Sequence, residues 1–180
     1  MGKFAVILIL ATAVLMGAGL WYAQTRAYYD PVEGPVTLTL AAPDGSLTTL
    51  PASDVSAIAS ISSPLGFRAC FAHHLDLAAL GEEIAVEPRS DAAPTIAPGW
   101  FDCFHAATIG EMLAAGEATA YTAYPNAGYG VDRIVALTPD GRGWAWHQLN
   151  ECGERAYDGT PLGEECPARE TFEPLIEGRI

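Results

Sequence analysis

The longest uninterrupted pattern in the chain is apolar: Phe4 to Ala23 reads FAVILILATAVLMGAGLWYA, twenty positions without a charge. As a helix with 1.5 Å rise per residue it is about 30 Å long, the thickness of a bilayer hydrocarbon core. Trp21 and Tyr22 close it where aromatic rings favour the headgroup layer. Gln24 to Gly34 (QTRAYYDPVEG) reads as a juxtamembrane linker, with Tyr28 and Tyr29 at the interface and Pro31 and Gly34 preventing a continuous helix. Beyond it the period changes to two. Val36, Leu38 and Leu40 alternate with Thr37 and Thr39, Pro43-Asp44-Gly45 turns the chain, and Ser46 to Leu50 returns, which predicts a hairpin.

Asp54 to Ile61, rich in Ala, Ser and Ile, leaves strand and helix open, and Ser62 to Gly66 breaks it. Phe67 to Phe71 (FRACF) reads as a short strand and Leu75 to Ile84 as a turn or two of helix. Glu87 to Gly99 is a proline-rich loop. Thr108 and Glu111 form a T-x-x-E capping box that predicts a helix over Ile109 to Ala115, with Asp102 to His105 as an optional backward extension. Gly116 stands where a C′ glycine belongs. Ala118 to Tyr124, Val131 to Leu137 and Gly143 to Leu149 predict an antiparallel meander, turning at Asn126 to Gly128 and Pro139 to Gly143. In its last strand Trp144 and Trp146 share one face, opposite Ala145 and His147. The tail from Asn150 is loop-like. The expected organisation is a cytoplasmic N-terminus (1–3), a transmembrane anchor (4–23), a linker (24–34) and one α+β domain (35–180). In that domain an antiparallel sheet of about five strands packs against one or two short helices.

Charge and cysteine usage set the topology. Lys3 precedes the span and Arg26 follows it; from Ala27 onward seven arginines face 22 acidic residues, a formal charge of −15. All four cysteines, Cys70, Cys103, Cys152 and Cys166, lie in this acidic part. An even count in a small domain predicts a disulfide framework and an oxidising compartment, hence an N-terminus inside and a domain outside. A cleaved signal peptide, cut after Gly19, is the rival reading; the length of the run and the aromatic pair behind it favour an anchor. No cysteine follows the span closely, which excludes a lipoprotein. Seven scattered arginines do not make a nucleic-acid surface.

The cysteines are 33, 49 and 14 residues apart, so no C-x-x-C redox motif or zinc ribbon is present. Of the three possible pairings the most local joins Cys70 to Cys103 and Cys152 to Cys166. The first pairing would draw His73 or His74 toward His105, with Asp76 and Asp102 beside them, a set able to bind copper or zinc. Ordinary hydrogen-bonded histidines are the alternative. Trp144, Trp146, Tyr121, Tyr124 and Tyr129 could share one face, which is most often core and, if exposed, suits a partner. No G-x-S-x-G, S-x-x-K or phosphate-cradling glycine loop occurs, and Glu82-Glu83 and Glu164-Glu165 read as solvated pairs. No catalytic residue and no cofactor are predicted.

The motifs RACF (68–71), GWFDCF (99–104), GEATAY (116–121), WHQLNECG (146–153) and GTPLGEECP (159–167), behind a single span with a Tyr28-Tyr29 pair, resemble an uncharacterised family of short membrane proteins from Gram-negative bacteria. The resemblance covers nearly the whole chain and implies no established activity. Such proteins are sometimes labelled histidine kinases, which this sequence contradicts: it has no room for a phosphoacceptor helix and an ATP-binding domain. The sequence therefore points to a domain on the periplasmic side of the inner membrane. Its expected role is a non-catalytic accessory module of an envelope complex, with metal binding as the alternative.

Overall fold

Tyr29–Pro31 (β1), inside the stretch read as a linker, pairs antiparallel with Ala52–Ser60 (β4), so the domain's sheet begins four residues after the N-terminal helix Gly2–Thr25 (α1) ends. The computed structural model describes residues 2–60, 62–83, 86–163 and 166–175. The Glu164-Glu165 pair and the Ile84 end of the 75–84 helix lie outside these residues, as do the side chains of Glu82 and Glu83. α1 has 24 residues, is apolar on every side and buries none of them, so it is long and apolar enough to cross a membrane.

The main sheet has six antiparallel strands in the order β1-β4-β5-β8-β7-β6. Here β5 is Arg68–His73, β6 is Thr119–Gly128, β7 is Val131–Leu137 and β8 is Arg142–Leu149. Thr39–Ala41 (β2) and Leu47–Thr49 (β3) form the predicted hairpin, turned at Gly45 with φ +84°. Leu77–Glu83 is α2 and Ala106–Ala115 is α3. The fold is α+β, as the alternation of apolar positions indicates.

Both faces of the sheet are covered, and period-two alternation decides which side chain goes where. On one face Phe71, Tyr121, Val135 and Leu137 pack under Leu38 and Leu40 of the hairpin and Leu80 of α2. On the other, Ile58, Ile134, Trp144 and Trp146 pack under Phe104 and under Ile109 and Met112 of α3. Every residue of β7 is buried. Both sheet edges are blunted. Pro31 lies in edge strand β1, and Arg89 N–H donates to Ala120 O (2.8 Å) along β6.

Two boundaries differ from the sequence reading. α3 starts at Ala106, not at a Thr108 cap: His105 is the extended N-cap residue and Ile109 N–H donates to its carbonyl (3.0 Å). Thr108 and Glu111 are exposed positions inside the helix. Phe104 is buried against Trp146 and Cys103 is bonded to Cys70, so tertiary contacts set the entry before the capping box can. The C-terminal end agrees: Gly116 is left-handed with φ +73°. The β6–β7 turn falls at Tyr129-Gly130 rather than at 126–128, because Asn126 (φ +51°) forms a bulge whose N–H donates to Asp132 Oδ1 (2.9 Å). Gly130 is left-handed and a Cβ there would lie 2.4 Å from the Gly153 backbone.

The disulfides are Cys70–Cys103, tying β5 to the loop before α3, and Cys152–Cys166, closing the tail on itself. On the chain-entropy relation the separations of 33 and 14 residues are worth about 4 and about 3 kcal/mol. In urea unfolding, C70S/C103S is therefore expected to lose more stability than C152S/C166S. Peptide mapping without reductant is expected to find no free thiol; equal losses, or four free thiols, would contradict this framework.

Candidate functional site

Three side chains stand in a row across β7, β8 and the entry to β5. Arg133 and His147 are direct cross-strand partners. Arg68 pairs with Trp146, which sets Phe67 opposite His147. The Arg133 guanidinium lies 3.8 Å from the Phe67 ring centroid, and the His147 imidazole stacks on the same ring at 4.8 Å. Arg133 Nε and Nη2 approach His147 Nε2 at 3.2 and 3.1 Å, and Nη1 donates to Thr37 O (2.6 Å). The other imidazole nitrogen, Nδ1, meets the carbonyl of Pro64.

These partners specify the protonation state. Two guanidinium nitrogens can only donate, so Nε2 accepts and the ring proton sits on Nδ1, donated to Pro64 O. Burial, and then the charge of Arg133, push the His147 pKa down to about 3. The imidazole is neutral at any ordinary pH.

Above this row opens a cleft of about 630 Å³, within the range of small-ligand pockets. Pro31 and Val32 form one wall, Ala59 and Pro64 the next, and Ala127 and Leu175 the far side, with Arg133 and His147 at the base. Leu175 N–H donates to Ala127 O (2.8 Å), which brings the tail to the cleft rim. A second polar centre is structural. Asp132 accepts from Arg89 Nη1 (2.6 Å), Asn126 N (2.9 Å) and Asn150 Nδ2 (2.7 Å), which holds the β6 bulge and the start of the tail together.

The sequence-predicted metal ligands are not brought together. Cys70 and His73 are three apart on β5 and point to opposite faces, so the disulfide draws His105 to the face His73 leaves. His73 is 2% exposed; its Nδ1 accepts from Leu75 N (3.2 Å) and its Nε2 has no hydrogen-bond partner among the described residues. His74, His105 and Asp102 are exposed, and Asp76 caps α2 through Ala78 N–H (3.0 Å). Among the described residues no group of three or more His, Cys, Asp or Glu could hold a metal ion.

The aromatic face is corrected as well. Trp146 is fully buried and Trp144 is 8% exposed; their indoles donate to Gln148 Oε1 (3.4 Å) and Cys103 O (3.1 Å). Tyr121 lies in the opposite core, Tyr124 is half-buried opposite Arg133, and Tyr129 packs on Phe172 and Arg169 of the tail. Sequence reasoning left out Arg133 and Phe67. The available signal was Asp132-Arg133 inside an otherwise apolar strand, since a charge there needs partners.

The state of His147 is testable. Its folded pKa lies below the unfolded value of about 6.5, so the unfolded chain binds the extra proton between pH 6.5 and about 3. His147 thus contributes stability above pH 6.5 that is lost as pH falls, with a slope of about 1.4 kcal/mol per unit. In ¹⁵N NMR its ring is expected to keep the Nδ1–H tautomer from pH 7.5 to 4.5. Arg133→Met should raise the His147 pKa yet leave it below 6.5, because burial is the larger cause. A wild-type midpoint above 5.5 would contradict the assignment.

No curated protein and no solved structure matches the chain. One family model matches residues 36–167, the stretch that holds every motif on which the resemblance rested except the span and its tyrosine pair. The chain belongs to the family of unknown function DUF6446.

Proposed function

We propose that the chain is a single-pass protein of a Gram-negative inner membrane whose acidic domain works in the periplasm as a non-catalytic accessory module. In this reading it docks an apolar segment of an envelope protein in the cleft over Arg133 and His147. The observation that carries the reading is the state of that site. A general base at neutral pH needs a pKa near 7, and His147 is held at about 3. Its two nitrogens are both engaged, and the cleft above it combines apolar Pro, Val, Ala and Leu side chains with Asp30, Glu33, Ser60 and Ser63. This is the chemistry of a rigid, partly apolar receptor rather than of proton transfer.

Three features support the location. α1 is long and apolar enough to span a membrane, and both disulfides call for an oxidising compartment. A net charge of −13 over the whole chain also disfavours nucleic acid as a partner.

The test is site-specific photo-crosslinking in the native membrane. A benzoylphenylalanine at Glu33, exposed on the cleft rim, is expected to give one discrete adduct. The same probe at Tyr157, exposed in the tail, is expected to give none. Purification in mild detergent should recover the crosslinked protein without irradiation. Monomeric protein with no adduct from Glu33 would overturn the accessory role.

A further inference from the structure

The end of α1 is not a free tether. The indole Nε1 of Trp100 donates to the carbonyl of Thr25, the last residue of α1, at 2.5 Å, and the Arg26 guanidinium lies 5.4 Å from the Trp100 ring centroid. Trp100 ends an unusual stretch. Residues 92–101 carry no charge, in a domain whose formal charge is strongly negative. Within it Ile96 is 83% exposed.

The loop is held rigidly. The buried Arg68 donates from Nε to Thr95 O (2.8 Å) and from Nη2 to Ile96 O (3.1 Å), while its Nη1 donates to Leu65 O (2.7 Å) and to Phe67 O. Its guanidinium also lies 5.8 Å from the Phe104 ring centroid. Burial lowers the Arg68 pKa to about 10, so the cation and its grip on the loop persist at neutral pH. Ile96 is therefore displayed by a fixed backbone rather than by a loose loop.

Depth follows from the helix rise. If the hydrocarbon core ends at Ala23, Thr25 lies about 3 Å further out along the helix axis. The headgroup layer on each side is about 5–7 Å thick, so Thr25 and the indole bonded to it sit within it. A Trp with a satisfied N–H and a cation over its ring suits that layer, and exposed Tyr28 follows Arg26 by two residues.

We infer that the Thr95–Trp100 loop is a second membrane contact: Ile96 and Trp100 rest in the headgroup layer of the bilayer that α1 spans and fix the domain's tilt on it. The inference rests on α1 being a membrane span. It makes the domain a seated body, with a defined face toward lipid, rather than a bead on a flexible linker.

The test uses the full chain in phosphatidylcholine nanodiscs. A nitroxide on Ile96→Cys is expected to collide more with oxygen than with a water-soluble nickel chelate. The same label on Tyr157→Cys should show the reverse. As a cysteine-free check, Trp21→Leu leaves Trp100 as the tryptophan nearest lipid, with Trp144 and Trp146 buried. Lipids brominated close to the headgroup should then quench part of the emission. Protein that stays in the disc with a water-exposed label at 96 and unquenched emission overturns the loop contact alone. Protein that alkaline carbonate extracts from the membrane overturns the span and the loop contact together.

Discussion

A guanidinium that is 1% exposed must have its N–H groups met by protein, and Arg133 stands in β7, a strand buried along its whole length, where this demand is hardest to satisfy. Meeting it recruits distant parts of the chain. Thr37, before the hairpin, supplies a carbonyl; His147 on β8 supplies an imidazole nitrogen; Phe67, before β5, supplies a ring face. His147 in turn engages the Pro64 carbonyl, so the turn ahead of β5 is drawn in too. Three segments besides its own, around residues 37, 64–67 and 147, are tied directly or through His147 to one side chain. Removing the cation while its partners stay buried would cost more than the pair contributes, the usual asymmetry of buried polar networks.

Arg68 repeats the device on the other face of the sheet. It satisfies itself on backbone carbonyls of its own entry turn and of the 95–96 loop, above the Phe104 ring. Carbonyl dipoles stabilise the charge without a carboxylate, and the loop they belong to becomes ordered despite its prolines and its lack of secondary structure. The two arginines thus organise what hydrophobic burial alone leaves loose: the approach to the hairpin on one side, and the proline-rich crossing toward α3 on the other.

The disulfides act at the same weak places. Cys70–Cys103 fastens the far end of that crossing, close to where Trp100 meets the helix end, and Cys152–Cys166 closes the tail, which has few apolar contacts. A well-packed sheet needs neither bond, and an exported domain with long irregular connections gains from both. The cleft lies on the face of the sheet opposite the Cys70–Cys103 bond, with buried Arg133 and His147 at its base.

Much of this was legible in the residues. Twenty uncharged positions read as a helix of membrane length because no charge interrupts them. Leu38 and Leu40, Val131 to Leu137, and Trp144 against Ala145 read as strands because burial of one face enforces alternation. Gly116 marked a helix end through its left-handed backbone, and the most local cysteine pairing is the one formed. Other features were not legible. Three residues, Tyr29–Pro31, carry no period; Thr108 imitates a cap that the packing of Phe104 overrides; Asn126 looks like a turn until Asp132 makes it a bulge. Parity turned His73 away from Cys70, and the other candidates, His74, His105, Asp76 and Asp102, stand exposed without forming a ligand group among the described residues. By itself, then, the sequence determined the anchor-length helix, the strands with a clear alternation and the disulfide chemistry, because these depend on neighbours along the chain. Only the tertiary structure decided the cleft and the seat of Trp100, because strand register, not sequence distance, brings Arg133, His147 and Phe67 into one row.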